Sequence, residues 1–105
     1  MILPLRLTVI ANETCPDDYC VIHQGRSVGR IHMTHGLNGS TAWNWHVKPP
    51  LPIPTWCNGS ADSLEAAECQ FKAAWERFYA SLTPEQIRRW HLIEDMGTSN
   101  EWWLE

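Results

Sequence analysis

Hydrophobic residues recur along this chain with two periods, one of two residues and one of three to four. The period of two comes first. Leu3, Leu5, Leu7, Val9 and Ala11 alternate with Pro4, Arg6, Thr8 and Ile10, which predicts a strand with one buried face. Pro4 confines it to a sheet edge or a late start. Asn12 to Asp18 reads as a polar connection with turn chemistry at Pro16-Asp17-Asp18. Tyr19 to His23 is a short β-type run, Gln24-Gly25 a two-residue link, and Arg26 to Thr34 the second arm of a hairpin. Gly29 inside that arm predicts a bulge or the close approach of a bulky neighbour. A tryptophan of the following strand is the expected neighbour. After a turn over His35 to Ser40, the run Thr41 to Lys48 puts Trp43, Trp45 and Val47 on one face and Asn44, His46 and Lys48 on the other. Four prolines between Pro49 and Pro54 make a stiff connector, and Thr55 to Ala61 adds a brief strand with a turn signal at Asn58-Gly59.

The period of three to four begins at Asp62. Leu64, Ala67, Phe71, Ala74, Trp75, Phe78 and Leu82 fall in one stripe at about 100° per residue, which predicts an amphipathic helix from Asp62 to Leu82. Asp62 and Ser63 are both good N-cap types, and Asp62 with Glu65 reads as a capping box. A stripe of large aromatics needs a sheet to cover it. Thr83-Pro84-Glu85-Gln86 marks a second helix start, with Gln86 in capping-box position and Pro84 at the first helical turn. It is expected to run to about Met96 and stop at Gly97, with a weak apolar pattern at Ile87, Trp90 and Ile93. The fold class that follows is α+β: a small antiparallel meander of three to four strands packed on one long amphipathic helix, with a short second helix near the C-terminus. Residues 1–97 make a single domain, and residues 98–105 an acidic, tryptophan-containing tail.

Charge refines this picture. The net charge is −4, and all of the excess lies in Glu94, Asp95, Glu101 and Glu105, so the preceding part of the chain is neutral. Such a balance does not steer the molecule to nucleic acid by its overall field, although a local patch can still bind it. Seven tryptophans in 105 residues are many; most belong in a core, and the rest supply a sticky surface. No segment reads as a membrane span or as a convincing signal peptide, so the expectation is a cytoplasmic protein with reduced cysteines and no membrane partner.

Candidate chemistry is sparse. In the strand reading, Arg26, Arg30 and His32 share a face, and Asn44, His46 and Lys48 face the same way on the next strand. Six polar or cationic groups on one small sheet can bind phosphates or an acidic partner, against the plain alternative that an antiparallel sheet simply keeps one face in water. Cys15 and Cys20, and His32 and His35, are the nearest metal-type pairs, but neither has a matching second pair, so no metal or cofactor is expected. Cys69 lies off the apolar stripe and reads as a partly exposed thiol. No sequence signature of an enzyme is present, and pairing Cys57 or Cys69 with His46 or His91 rests on composition alone. Trp90, Trp102 and Trp103 leave apolar surface that a second copy or another protein can cover, or that folds back on the same domain.

One resemblance spans Asp18 to Trp75. Gly25-Arg26-Ser27-Val28-Gly29-Arg30-Ile31, Trp43-Asn44-Trp45, Gly59-Ser60-Ala61-Asp62-Ser63-Leu64-Glu65 and Phe71-Lys72-Ala73-Ala74-Trp75, in that order, are similar to a group of small bacterial proteins common in soil alphaproteobacteria. The resemblance implies a compact sheet-plus-helix domain and carries no activity with it. The leucine-rich start and the second helix with its acidic tail depart from that pattern. The functional expectation is a small non-catalytic binding or regulatory module acting by homo- or hetero-association; the alternative is nucleic-acid binding through the polar sheet face.

Overall fold

A computed structural model describes residues 2–10, 12–36 and 38–101. Five strands form one antiparallel sheet in sequence order: β1 (Leu5–Ile10), β2 (Glu13–His23), β3 (Arg26–His35), β4 (Thr41–Val47) and β5 (Asn58–Ala61). Helix α1 (Leu64–Ser81) lies across one face of β3, β4 and β5, and α2 (Pro84–Glu101) follows it. The meander is thus wider than the three to four strands read from the sequence. The second strand begins at Glu13 because Pro16-Asp17-Asp18 sits in an irregularity of the β1–β2 ladder, between Leu7 and Thr8, with Asp17 at φ 59°. The chain goes on pairing across residues whose local chemistry signals a turn. The fifth strand uses Asn58-Gly59 as extended backbone, straight after a single 3-10 turn over Thr55–Cys57.

Local rules explain most of the turns and caps. Gln24 and Gly25 both take positive φ, at 51° and 79°, the pattern of a type I′ turn whose twist matches the flanking strands. Helix α1 is capped by Ser63, whose Oγ accepts from the Ala66 N–H at 3.1 Å. Asp62 is therefore not the cap. A reciprocal box would need an acid or amide at position 66, and alanine stands there. The box at the second helix forms as expected: Thr83 N–H donates to Gln86 Oε1 at 2.9 Å, and Gln86 N–H to Thr83 Oγ1 at 3.1 Å. That helix does not stop at Gly97 but continues to Glu101.

The core lies between the sheet and α1. Ala67, Phe71, Ala74, Trp75 and Phe78 are buried against Val21, Val28, Ile31, Trp45, Val47 and Ala61, so the helical stripe and the Trp45/Val47 strand face meet as expected. Trp45 also donates its indole N–H to Gln70 Oε1 at 2.8 Å. Gly29 is crowded by the Phe71 ring of α1, not by a tryptophan of the next strand; a β-carbon there would lie 2.2 Å from that ring. The glycine that a tryptophan approaches is Gly59, under Trp45. Trp90 of α2 is only 1% exposed and stands edge-on to Trp75, ring centres 5.8 Å apart. It is part of the core, where an indole recovers more free energy than on a surface. Trp102 and Trp103 lie outside the described residues.

Candidate functional site

The sheet has a second face that no described helix covers, and strand register decides which side chains occupy it. Cross-strand partners point to the same side. One row runs Arg6, Cys20, Arg30, His46 and Asn58; the next runs Asp18, His32, Asn44 and Ser60. Lys48 lies just past the end of β4, near enough to His46 to act on its imidazole. Arg30, His32, Asn44, His46 and Lys48 are therefore brought together as the alternation predicted.

Arg26 is not among them. The β2–β3 register shifts by one residue between Val21 and Ile22, where Val21 faces Gly29 and Ile22 faces Ser27, leaving Val28 as the extra residue. A bulge of this kind resets the alternation. Val28 and Gly29 both turn to the helix side, and Arg26 follows with its partner His23. There the guanidinium reaches α2, with Nη1 3.1 Å from both Glu94 Oε1 and Asp95 Oδ1. Arg26 ties the second helix to the hairpin and is unavailable to the open face. The two acids that hold it raise its pKa further. Gly29 signals the bulge in the sequence, but the displacement of Arg26 follows only from where the β2–β3 ladder shifts.

The centre of the open face is a fixed guanidinium. Arg30 donates from Nε to Asp18 Oδ1 at 2.8 Å and from Nη2 to Asp18 Oδ2, a two-point fork. Thr8 on β1 donates from Oγ1 to the same Asp18 Oδ1 at 2.8 Å. The hydrogen bond from Arg30 holds the Asp18 carboxyl below its usual range despite burial, and Asp18 in turn raises Arg30. Burial pushes the neighbouring His46 imidazole down, helped by the nearby His32, Arg30 and Lys48, so it is neutral at pH 7. His32 Nδ1 is buried without a hydrogen-bond partner among the described residues. Asp18 is hidden in the sequence by the turn chemistry of Asn12 to Asp18, whereas Thr8 and Cys20 lie in runs that read as strands and join the face only through pairing with their neighbours. Continued strand alternation through Asp18, Cys20 and Ile22 was the available signal.

The face is poor in aromatic rings. Tyr19, Trp43 and Trp45 pair with helix-side residues; Tyr19 and Trp43 pack together at 6.3 Å between ring centres. Among the described residues no three His, Cys, Asp or Glu side chains converge as a metal site. Cys15 and Cys20 are partly covered free thiols, Cys57 is buried and Cys69 is exposed. No described helix is long and apolar enough to cross a membrane. No family model, curated protein or solved structure matches the chain.

Proposed function

We propose that this chain is a small non-catalytic binding module whose working surface is the uncovered face of the sheet, and that its partner is a protein presenting exposed carboxylates. The observation that carries this reading is the Arg30 guanidinium, held in a two-point fork by Asp18, itself bonded by Thr8, on a face that no described helix covers. Fixing a guanidinium in advance lowers the entropy lost when it binds a second carboxylate. The fork to Asp18 uses Nε and Nη2, which leaves Nη1 for an outside acceptor. Arg6 and Lys48 flank it as further cations, and Asn44, Asn58 and Ser60 supply neutral donors on the same surface.

Nucleic acid fits this face less well. Sheet surfaces that hold single strands stack bases on aromatic rings, and the tryptophans here turn to the helix. An acid also sits in the middle of the patch, in a chain of net charge −4. The test is a fluorescence-anisotropy titration with two labelled probes, an octaglutamate peptide and a twenty-nucleotide oligothymidine, at low and at physiological salt. The peptide is expected to bind, and Arg30→Ala to weaken it about tenfold, the loss of one charge-assisted hydrogen bond. Binding to the oligonucleotide alone, falling steeply with salt, would transfer the face to nucleic acid. Silence from both probes at low salt would remove the reading.

A further inference from the structure

The two edges of the sheet are built differently. The edge at β5 is four residues long, carries Asn58, Gly59 and Ser60, and is entered directly from a 3-10 turn. Short, polar and glycine-containing, it is a poor template for another strand. The edge at β1 is six residues long, and no proline or acid interrupts it. Leu7 and Val9 on its helix side are 39% and 60% exposed, because α1 covers β3, β4 and β5 and does not reach this far.

The backbone direction of β1 can be read from one bond. Pro4 C=O accepts from the Ile22 N–H of β2 at 2.9 Å. Alternation then aims Arg6 and Thr8 at β2, and aims the N–H and C=O groups of Leu5, Leu7 and Val9 outward. An outward row of paired donors and acceptors, with apolar side chains beside it, fits one kind of partner: an extended strand with the same alternation.

We propose that β1 pairs with β1 of a second copy, antiparallel about a two-fold axis through Leu7, to form one ten-stranded sheet across a homodimer. The register follows from the residues. Centring on Leu7 sets Leu5 against Val9 of the partner, Leu7 against its counterpart, and Arg6 against Thr8. Each of the three outward residues then exchanges both backbone hydrogen bonds, and every cross-strand pair matches apolar with apolar or polar with polar. Centring one residue earlier would set Arg6 against Arg6. The interface is isologous and closes at two copies. It uses none of Trp90, Trp102 or Trp103. It also stands apart from the sheet-face reading, though it would place two Arg30 patches on one continuous surface, about 24 Å apart at five strand spacings.

Sedimentation equilibrium on the full chain, together with site-specific cross-linking, tests this. The weight-average mass of the wild-type chain is expected to lie well above 12.1 kDa and to climb toward twice that value as the concentration passes through a Kd on the order of 50–100 μM. Val9→Lys changes an exposed side chain and puts a charge opposite the apolar Leu5; it is expected to give monomers with an unchanged circular-dichroism spectrum and melting temperature. In a Cys69→Ser background, Leu7→Cys is expected to cross-link to its own copy under mild oxidation, whereas Leu5→Cys, which faces position 9, is not. A monomeric wild type in that range overturns the proposal. So does a dimer indifferent to Val9→Lys, or equal cross-linking at positions 5 and 7.

Discussion

Replacing Gly29 by alanine adds one methyl group at the most crowded point between sheet and helix. The new carbon would lie 2.2 and 2.3 Å from two Phe71 ring carbons and 2.6 Å from the His46 carbonyl oxygen. Carbon pairs rest at about 3.5–4.0 Å, so the overlap exceeds 1 Å on the ring side. Neither neighbour can yield easily. Phe71 is buried, with Trp45 edge-on at 5.9 Å, and the His46 carbonyl belongs to the β3–β4 ladder, opposite Arg30. Overpacking of this kind costs about 1–3 kcal/mol. A smaller term opposes it: Gly29 does not have positive φ, so alanine would stabilise by about 0.4–1 kcal/mol through the unfolded chain. The net expectation is a loss of about 1 kcal/mol, or roughly 4–8 °C in melting temperature for a domain of this size. Urea denaturation followed by tryptophan fluorescence measures it. Phe71→Leu removes the ring edge, so the double variant is expected to lose about 1 kcal/mol less than the sum of the single losses. A neutral Gly29→Ala, or strict additivity with Phe71→Leu, would refute the assignment of Phe71 as the neighbour that demands glycine.

The other predictions concern the second helix, its cap, pH and the open face. Trp90→Ala is expected to cost about 3–5 kcal/mol as a large core truncation, while the sedimentation of the protein that remains folded stays as in wild type; a folded chain of unchanged stability but altered oligomeric state would return Trp90 to an interface. Thr83→Ala removes one half of a reciprocal cap and is expected to lower stability by about 1 kcal/mol, read as a shift in urea midpoint with constant slope. His23 is buried against Trp75 and Tyr79 at 5.5 and 4.9 Å between ring centres, and its Nε2 lacks a partner among the described residues. Burial, aided by His91, pushes its pKa below the ordinary 6.5. The unfolded chain then binds the proton more readily, so stability is full above pH 6.5 and falls as pH drops below it. Arg26, with Glu94 and Asp95 on α2, faces the same region and stays charged across that window. His46 is shifted the same way, so His23→Phe is expected to remove only part of the slope between pH 7 and 5; a slope untouched by that change would assign it elsewhere. Asp18, held low by Arg30, acts further down: its contribution is complete above pH 3.8 and is lost as pH falls through its lowered pKa, and Asp18→Asn is expected to flatten the acid limb of the denaturation curve.

Much of this molecule was legible one residue at a time. The α1 stripe, the Thr83–Gln86 box, the Gln24-Gly25 turn and the inward tryptophans of β4 follow from periods and short-range chemistry, which a linear sequence records directly. So do five of the six polar residues assigned to the open face, since alternation within one strand needs only its neighbours. The failures share a cause. Pro16-Asp17-Asp18 signals a turn, yet pairing with β1 carries the strand through it; Asn58-Gly59 signals a turn, yet pairing with β4 extends it. In both places the ladder of a neighbouring strand outweighs a local preference worth only about 1 kcal/mol. The bulge at Val28 is one extra residue, but it moves Arg26 from the open face to the helix face and hands it to Glu94 and Asp95, some seventy residues further along the chain. Trp90 went into the core for a similar reason: its own helix has too weak an apolar stripe to announce a buried face, and only the position of Trp75 supplies one. Local backbone preference and hydrophobic period set the elements of this protein. Register, bulges and the docking of α2 depend on contacts between residues distant in sequence, and those contacts decide which charges share a surface.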